Sequence, residues 1–164
     1  MGSRRPRAGE KTAEAAQETA YRLLKRREHS RAELATKLLL RGYEEDVVTR
    51  VVRELTARGE LSDERFAELR AKARLSRGYG PSAVVADLRA RGIGREAAEA
   101  CVSRSVEDVP EMEAARKALA RTGWGRGERT TEARRRAHAH LDRRGFSAGL
   151  IRQILKLGPE EENE

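Results

Sequence analysis

Ser30-Arg31-Ala32-Glu33-Leu34, then Leu38, then Arg41-Gly42-Tyr43 spell out a unit that the chain uses again. Its second form is Pro81, Val84, Leu88 and Arg91-Gly92-Ile93, and its third is Ala137, Leu141 and Arg144-Gly145-Phe146. Each Arg-Gly pair closes one amphipathic segment and is followed by a large apolar residue and a second amphipathic segment. The pairs recur 50 and then 53 residues apart. A period of this size marks one supersecondary unit used repeatedly, so the chain reads as an array.

The copies align well beyond the glycine. Eight residues before it stand Leu34, Val84 and Ala137, and four before it Leu38, Leu88 and Leu141. After it, the aligned positions are Val47, Ala97 and Leu150; Val48, Ala98 and Ile151; Val51, Cys101 and Ile154; and Val52, Val102 and Leu155. Spacings of four, one and three residues trace one face of a helix rather than of a strand. The glycine suits a left-handed position just past a helix end, which costs other residues a clash at Cβ. The expectation is an all-α chain of three tandem three-helix repeats, each containing a helix-turn-helix hairpin.

Composition sets the scale. The 164 residues are 38% hydrophobic, 4% aromatic and 38% charged, which suits small helical layers of Leu, Val and Ala with extensive exposed faces. An elongated, curved molecule is expected, each repeat packing mainly on its neighbour. The one cysteine, Cys101, lies on the apolar stripe and reads as a core residue. No stretch is long and apolar enough to span a bilayer, and the basic N-terminus lacks the apolar core of a secretion signal. A cytoplasmic protein is expected.

The net charge of +8 is unevenly placed. Residues 113–157 carry twelve basic and four acidic side chains, whereas residues 60–112 carry nine and ten. A basic segment beside near-neutral ones is the footprint of a polyanion or of an acidic protein surface.

Punctuation divides the chain into a flexible basic arm (1–12), repeat one (13–59), repeat two (60–107), repeat three (108–157) and a disordered acidic tail (158–164). A first helix is expected from Ala13 to about Glu28. Ser30 caps the next, with Glu33 placed for a capping box, and Glu44 to about Arg58 forms the third, ended by Gly59. Ser62 caps the helix that opens repeat two, with Asp63 and Glu64 near its positive end. Gly78-Tyr79-Gly80-Pro81 breaks the chain and restarts it, proline being suited to the first helical position. Further helices are expected over about 94–106, 110–121, 131–144 and 147–157.

Several of these segments together resemble the RecX family, bacterial modulators of the RecA recombinase. They are Arg27-Glu28-His29-Ser30-Arg31-Ala32-Glu33-Leu34, Leu61-Ser62-Asp63-Glu64-Arg65-Phe66-Ala67, and Arg77-Gly78-Tyr79-Gly80-Pro81 with Leu88-Arg89-Ala90-Arg91-Gly92-Ile93. Leu141-Asp142-Arg143-Arg144-Gly145-Phe146-Ser147 is a weaker fourth. They span about residues 20–157 in the family's order. One departure follows Phe66-Ala67, where Glu68-Leu69-Arg70 stands in place of a stretch that usually holds an aromatic. The resemblance implies binding in the helical groove of the RecA–single-stranded DNA filament, with modulation, mostly inhibition, of its recombinase and ATPase activity. It also implies a place in DNA repair, recombination and the SOS response. A monomer that contacts RecA and single-stranded DNA, with duplex DNA as a further candidate, is expected.

The candidate contacts are basic. Arg134-Arg135-Arg136 with Arg143, Arg144, Arg152 and Lys156 is the densest cluster, and Arg126 lies in the Gly123-Trp124-Gly125-Arg126-Gly127 loop. A solvated face is the competing reading for any single arginine. Arg70, Lys72 and Arg74 form a second strip, on a helix where Glu64 and Glu68 offer intrahelical pairs. Trp124 is a candidate for stacking on a base, against packing on nearby helices. Tyr79 reads as packing. His138 and His140 stand two apart, on different helix faces, and make a poor metal site. No cofactor, catalytic residue or metal ligand is assigned, because no phosphate loop, ordered Ser/His/Asp set or spaced carboxylate group is present. The rival function is a helix-turn-helix transcriptional regulator, although the second helices of repeats one and two lack an Arg/Asn/Gln-rich reading face.

Overall fold

The computed structural model describes residues 12–124 and 130–156. Among these residues the chain forms nine helices and no strand. They are α1 (Ala13–Leu24), α2 (Arg31–Leu39), α3 (Glu45–Ala57), α4 (Asp63–Leu75), α5 (Pro81–Arg89), α6 (Arg95–Asp108), α7 (Glu111–Ala120), α8 (Thr131–Arg143) and α9 (Ala148–Lys156). The expected tail, residues 125–129 with Arg126, and the expected arm up to residue 11 lie outside the described residues.

Short hydroxyl side chains start most of these helices. The Ser30 Oγ accepts the Glu33 N–H at 3.0 Å, and the Thr130 Oγ1 accepts that of Ala133 at 3.1 Å. Ser62 and Ser147 cap α4 and α9 in the same way, each at 3.2 Å. Each bond satisfies a backbone donor that a helix start leaves open. Thr12, which the sequence reading left in the arm, caps α1 by accepting from Ala15 at 3.3 Å. Pro81 takes the first turn of α5 behind Gly80, where its missing N–H costs nothing.

The three Arg-Gly pairs end their helices by one geometry. Gly42, Gly92 and Gly145 have φ of 80°, 84° and 82°. The glycine N–H bonds back to Leu39, Arg89 and Asp142, and the next N–H, of Tyr43, Ile93 or Phe146, reaches Leu38, Leu88 or Leu141. Two orphan carbonyls are thereby satisfied at each end. The apolar residue that follows folds onto the helix it has just left. Ile93 and Phe146 are buried there, and Tyr43 is half-buried.

The chain divides into two compact units, Met1–Phe66 and Ala67–Glu164. In the first, α1, α2 and α3 pack pairwise around Ala16, Ala20, Leu23, Leu34, Leu38, Val48, Val51 and Leu55. The Tyr43 hydroxyl donates to the Ala15 carbonyl at 3.1 Å and bonds to the Thr19 hydroxyl at 2.9 Å, so the turn after α2 is tied to α1 at its polar tip. Helix α1 stops at Leu24, four residues before the expected end. The reason is His29, only 1% exposed, whose Nδ1 reaches the Arg27 carbonyl at 2.9 Å and whose Nε2 meets the Lys37 Nζ at 3.0 Å. The chain turns inward to bury this ring, which a continued helix would not allow.

In the second unit α5 packs on α6, and α7, α8 and α9 pack on one another. The last three enclose Ala114, Ala115, Ala118, Leu119, Ala137, Leu141, Phe146, Ile151, Ile154 and Leu155. Ala67, Ala71 and Leu75 on α4 are buried, as are Val84, Leu88, Ala98, Cys101 and Val102 on α5 and α6.

Candidate functional site

Basic side chains fall into two groups, those committed inside the fold and those held out to solvent. Arg70 on α4 belongs to the first. Its Nε and Nη2 donate to the Asp87 carboxylate of α5 at 2.6 and 3.0 Å. Arg91 adds a longer contact at 3.3 Å. Burial alone would raise the Asp87 pKa, but the hydrogen bonds from Arg70 and Arg91 outweigh it and hold the carboxyl at about 2. Lys72 bonds to Asp108 of α6 at 2.7 Å, and Arg104 of α6 approaches Glu68 at 3.9 Å. The strip on α4 therefore meets carboxylates and an arginine of other helices, where the sequence suggested pairs within α4 itself.

Arg74 and Arg144 are committed to a joint. Arg74 lies over the Tyr79 ring at 3.4 Å from its centroid, and Arg144 at 4.6 Å, two cations against one aromatic. Arg144 also donates to the Arg77 and Gly78 carbonyls at 3.2 and 3.0 Å. The Gly80 N–H returns a bond to the Arg144 carbonyl at 2.7 Å, and Ser82 N–H bonds to the Gly145 carbonyl at 3.3 Å. The segment Arg77-Gly78-Tyr79-Gly80-Pro81 is thus a tertiary connector to the end of α8. Tyr79 packs, as its sequence suggested.

The second group is densest on α8 and α9. Arg134, Arg135, Arg143, Arg152 and Lys156 are exposed, and among the described residues none has a hydrogen-bond or ion-pair partner. Arg136 only approaches Glu132, at 3.7 Å, with both side chains more than 70% exposed. Successive residues turn about 100° around a helix, so Arg134, Arg135 and Arg136 fan around α8, all three exposed, with Arg134 nearest the side of Ala137 and Leu141. Arg143, seven residues on, returns to the side of Arg136. Ala137 and Leu141 take the inner side and are buried. Arg144 departs from the cluster proposed in the sequence because its guanidinium turns inward to the joint.

Trp124 is half-buried and packs against the core of α7, α8 and α9. The pKa of His140 is lowered first by burial and then by Arg144 and Arg143. His138 is exposed. Among the described residues no group of three His, Cys, Asp or Glu side chains is placed to hold a metal ion. No helix there is long and apolar enough to cross a membrane. Asp87 was missed as a key residue by the sequence reading; its only local signal is Arg91, four residues on.

Fold and side chains together define an all-helical protein of three-helix repeats. The family model described as "RecX, first three-helix domain" matches residues 16–55, and "RecX, second three-helix domain" matches residues 62–102. The Regulatory protein RecX of Halorhodospira halophila is 37% identical over 154 residues, covering 92% of each chain. That of Xanthomonas oryzae pv. oryzae (strain MAFF 311018) is 39% identical over 140 residues, covering 85% of this chain and 86% of its own. The chain belongs to the RecX family, whose members are regulatory proteins and not enzymes. In fold it is similar to the crystal structure of RecX from Lactobacillus salivarius, with a TM-score of 0.71 at 19% identity over 88% of this chain and 94% of the other. A second crystal structure of regulatory protein RecX gives 0.77 at 18% identity, over 88% and 73%.

Proposed function

We propose that this chain is a regulator of RecA that binds the RecA–single-stranded DNA filament and restrains its recombinase and ATPase activity. The observation that carries the reading is the set of cations on α8 and α9 that the fold does not use: Arg134, Arg135, Arg143, Arg152 and Lys156. Internal ion pairs consume most of the basic side chains on α4, whereas these are left to meet an external polyanion. The family's regulatory character supplies the target, and the chain performs no chemistry of its own.

In this reading residues 13–59, 60–107 and 108–157 are three copies of one module, acting as a monomer in the cytoplasm. Several weak module contacts to successive RecA subunits add up to firm filament binding, while a lone RecA subunit is held poorly. The last module brings the single strand's phosphates to α8 and α9. If five phosphates are neutralised, log affinity for a single strand falls with log salt at a slope of about −3.5.

RecA ATPase on single-stranded DNA, measured with the full chain titrated in, tests the reading. Loss of turnover at sub-stoichiometric amounts is expected. No effect at any ratio overturns it, and tight binding to one duplex sequence without filament binding would favour a transcriptional regulator instead.

A further inference from the structure

Cations crowd one corner of the first unit. On α2, Glu33, Lys37 and Arg41 follow one another at intervals of four and so share a face. Arg27, in the turn between α1 and α2, reaches the Glu33 carboxylate at 2.9 Å. Burial, then Arg27, and then Arg41 and Arg26 hold the Lys37 pKa below its ordinary 10.5, with Glu33 pulling the other way. Arg26, Arg27, Lys37 and Arg41 thus gather around a carboxylate that Arg27 already engages, an excess of three positive charges.

Most of this charge is fixed in place without being neutralised. The Lys37 ammonium donates to the His29 Nε2 at 3.0 Å, and the buried His29 ring is itself anchored through Nδ1 to the Arg27 carbonyl. A neutral imidazole positions the ammonium, occupies one of its N–H donors and cancels none of its charge. The Arg41 guanidinium is tied to the Lys37 carbonyl at 2.6 Å, and Arg27 also donates to the Glu28 carbonyl at 2.8 Å. Arg26 and Arg41 are exposed, and Lys37 is half-buried. The second copy of the hairpin treats the same positions differently. Counted from Gly42 and Gly92, Lys37 and Arg41 correspond to Asp87 and Arg91, which form an ion pair at 3.3 Å. Where the second copy has the acid that answers its arginine, the first has another cation.

We propose that Arg26, Arg27, Lys37 and Arg41 bind the phosphodiester backbone of single-stranded DNA, as a site in addition to the cations of α8 and α9. The choice of anion rests on the single-strand reading above and deepens it, giving the first unit a nucleic-acid contact of its own. A lone carboxylate offsets one of these charges, as Glu33 does, whereas a strand carries a phosphate at every nucleotide and offsets several at once. Side chains already tied to backbone carbonyls and to a buried ring lose little further freedom on meeting it.

Salt-titrated fluorescence anisotropy of labelled oligo(dT) with the full chain tests the site. Arg26→Gln and Arg41→Gln, at exposed positions, are each expected to lower the salt slope by about 0.7, and so the affinity about fivefold near 0.1 M salt. Lys37→Asp restores the acid of the second copy beside Arg41 and is expected to lower the slope by about 1.4. Because Lys37 also supports the buried His29, the two arginine variants decide the matter if Lys37→Asp fails to fold. In the unaltered chain, oligo(dT) is expected to shift the His29 ring nitrogen signals in NMR spectra, since Nε2 lies against Lys37. Unchanged slope and affinity in both arginine variants, or unmoved His29 signals with oligo(dT) bound, overturn the site. A loss confined to Arg134→Gln, measured beside them, leaves the α8–α9 reading standing. The same His29 shift with polyglutamate at equal charge concentration overturns the site in favour of an acidic protein segment. A wild-type chain that does not bind oligo(dT) overturns both this site and the single-strand reading.

Discussion

Gly80 and Gly145 meet backbone to backbone. A β-carbon on Gly80 would overlap the Gly145 carbonyl, and one on Gly145, which also has φ of 82°, would collide with the backbone of Ala83. Gly80→Ala is therefore expected to destabilise the protein by about 1–3 kcal/mol, the range for forcing a methyl into filled space. Gly149, in the first turn of α9, has open space where its β-carbon would be. Gly149→Ala is expected to stabilise by about 0.5–1 kcal/mol by removing the entropic cost of glycine in a helix. Urea melts of both variants check the pair, and equal effects would contradict the contact.

The Asp87 carboxylate makes an acid-labile clasp. Its pKa is lower in the fold, at about 2, than its ordinary 3.8. A depressed pKa contributes stability that is present above the ordinary value and is lost as pH falls from about 4 towards 2. The contribution is on the order of 2 kcal/mol. Asp87→Asn should cost a similar amount at pH 7 and flatten the acid limb of a stability-versus-pH curve. An unchanged limb would show that Arg70 finds no support in Asp87.

Arginines that look alike in the sequence should fail in different ways. Arg144→Ala removes one cation from Tyr79 and two donors from the Arg77 and Gly78 carbonyls. It is expected to lower stability by about 1–3 kcal/mol. Arg134→Ala and Arg143→Ala should leave the melting temperature within about 2 °C and lower single-strand affinity, each reducing the salt slope by about 0.7. Thermal melts beside salt-titrated binding separate the two classes.

His29 gives a second pH dependence, nearer neutrality. Because the Arg27 carbonyl only accepts, Nδ1 carries the proton, and Nε2 accepts from Lys37. Burial, the largest influence, favours the neutral ring and lowers its pKa below the ordinary 6.5. A lowered histidine pKa means that stability is complete above 6.5 and declines as pH falls through the folded value. NMR titration should show a midpoint below 6.5 and a proton on Nδ1 at neutral pH. His29→Gln should remove the dependence.

What the sequence disclosed is local chemistry. The Arg-Gly helix ends, the Ser30 and Ser62 caps and the Pro81 start each depend on residues within one turn, so spacing revealed them. The partners of Arg70 and Lys72 stand 17 and 36 residues away on other helices, and no helical periodicity relates them. Gly80 reads in sequence as the break before Pro81; its second duty, clearing room for the α8 terminus, exists only once the chain has folded. The basic cluster was visible as charge. Which of its members turn inward, as Arg144 does, was decided by packing.

Cys101, the chain's single cysteine, sits on α6 at 3% exposure. Its thiol is thereby a built-in clock. A maleimide can reach it only when α6 lifts from its neighbours, so the labelling rate of the unaltered protein reports how often that region opens. Slower labelling in the presence of a bound partner would time the stiffening of the second unit without any engineered probe.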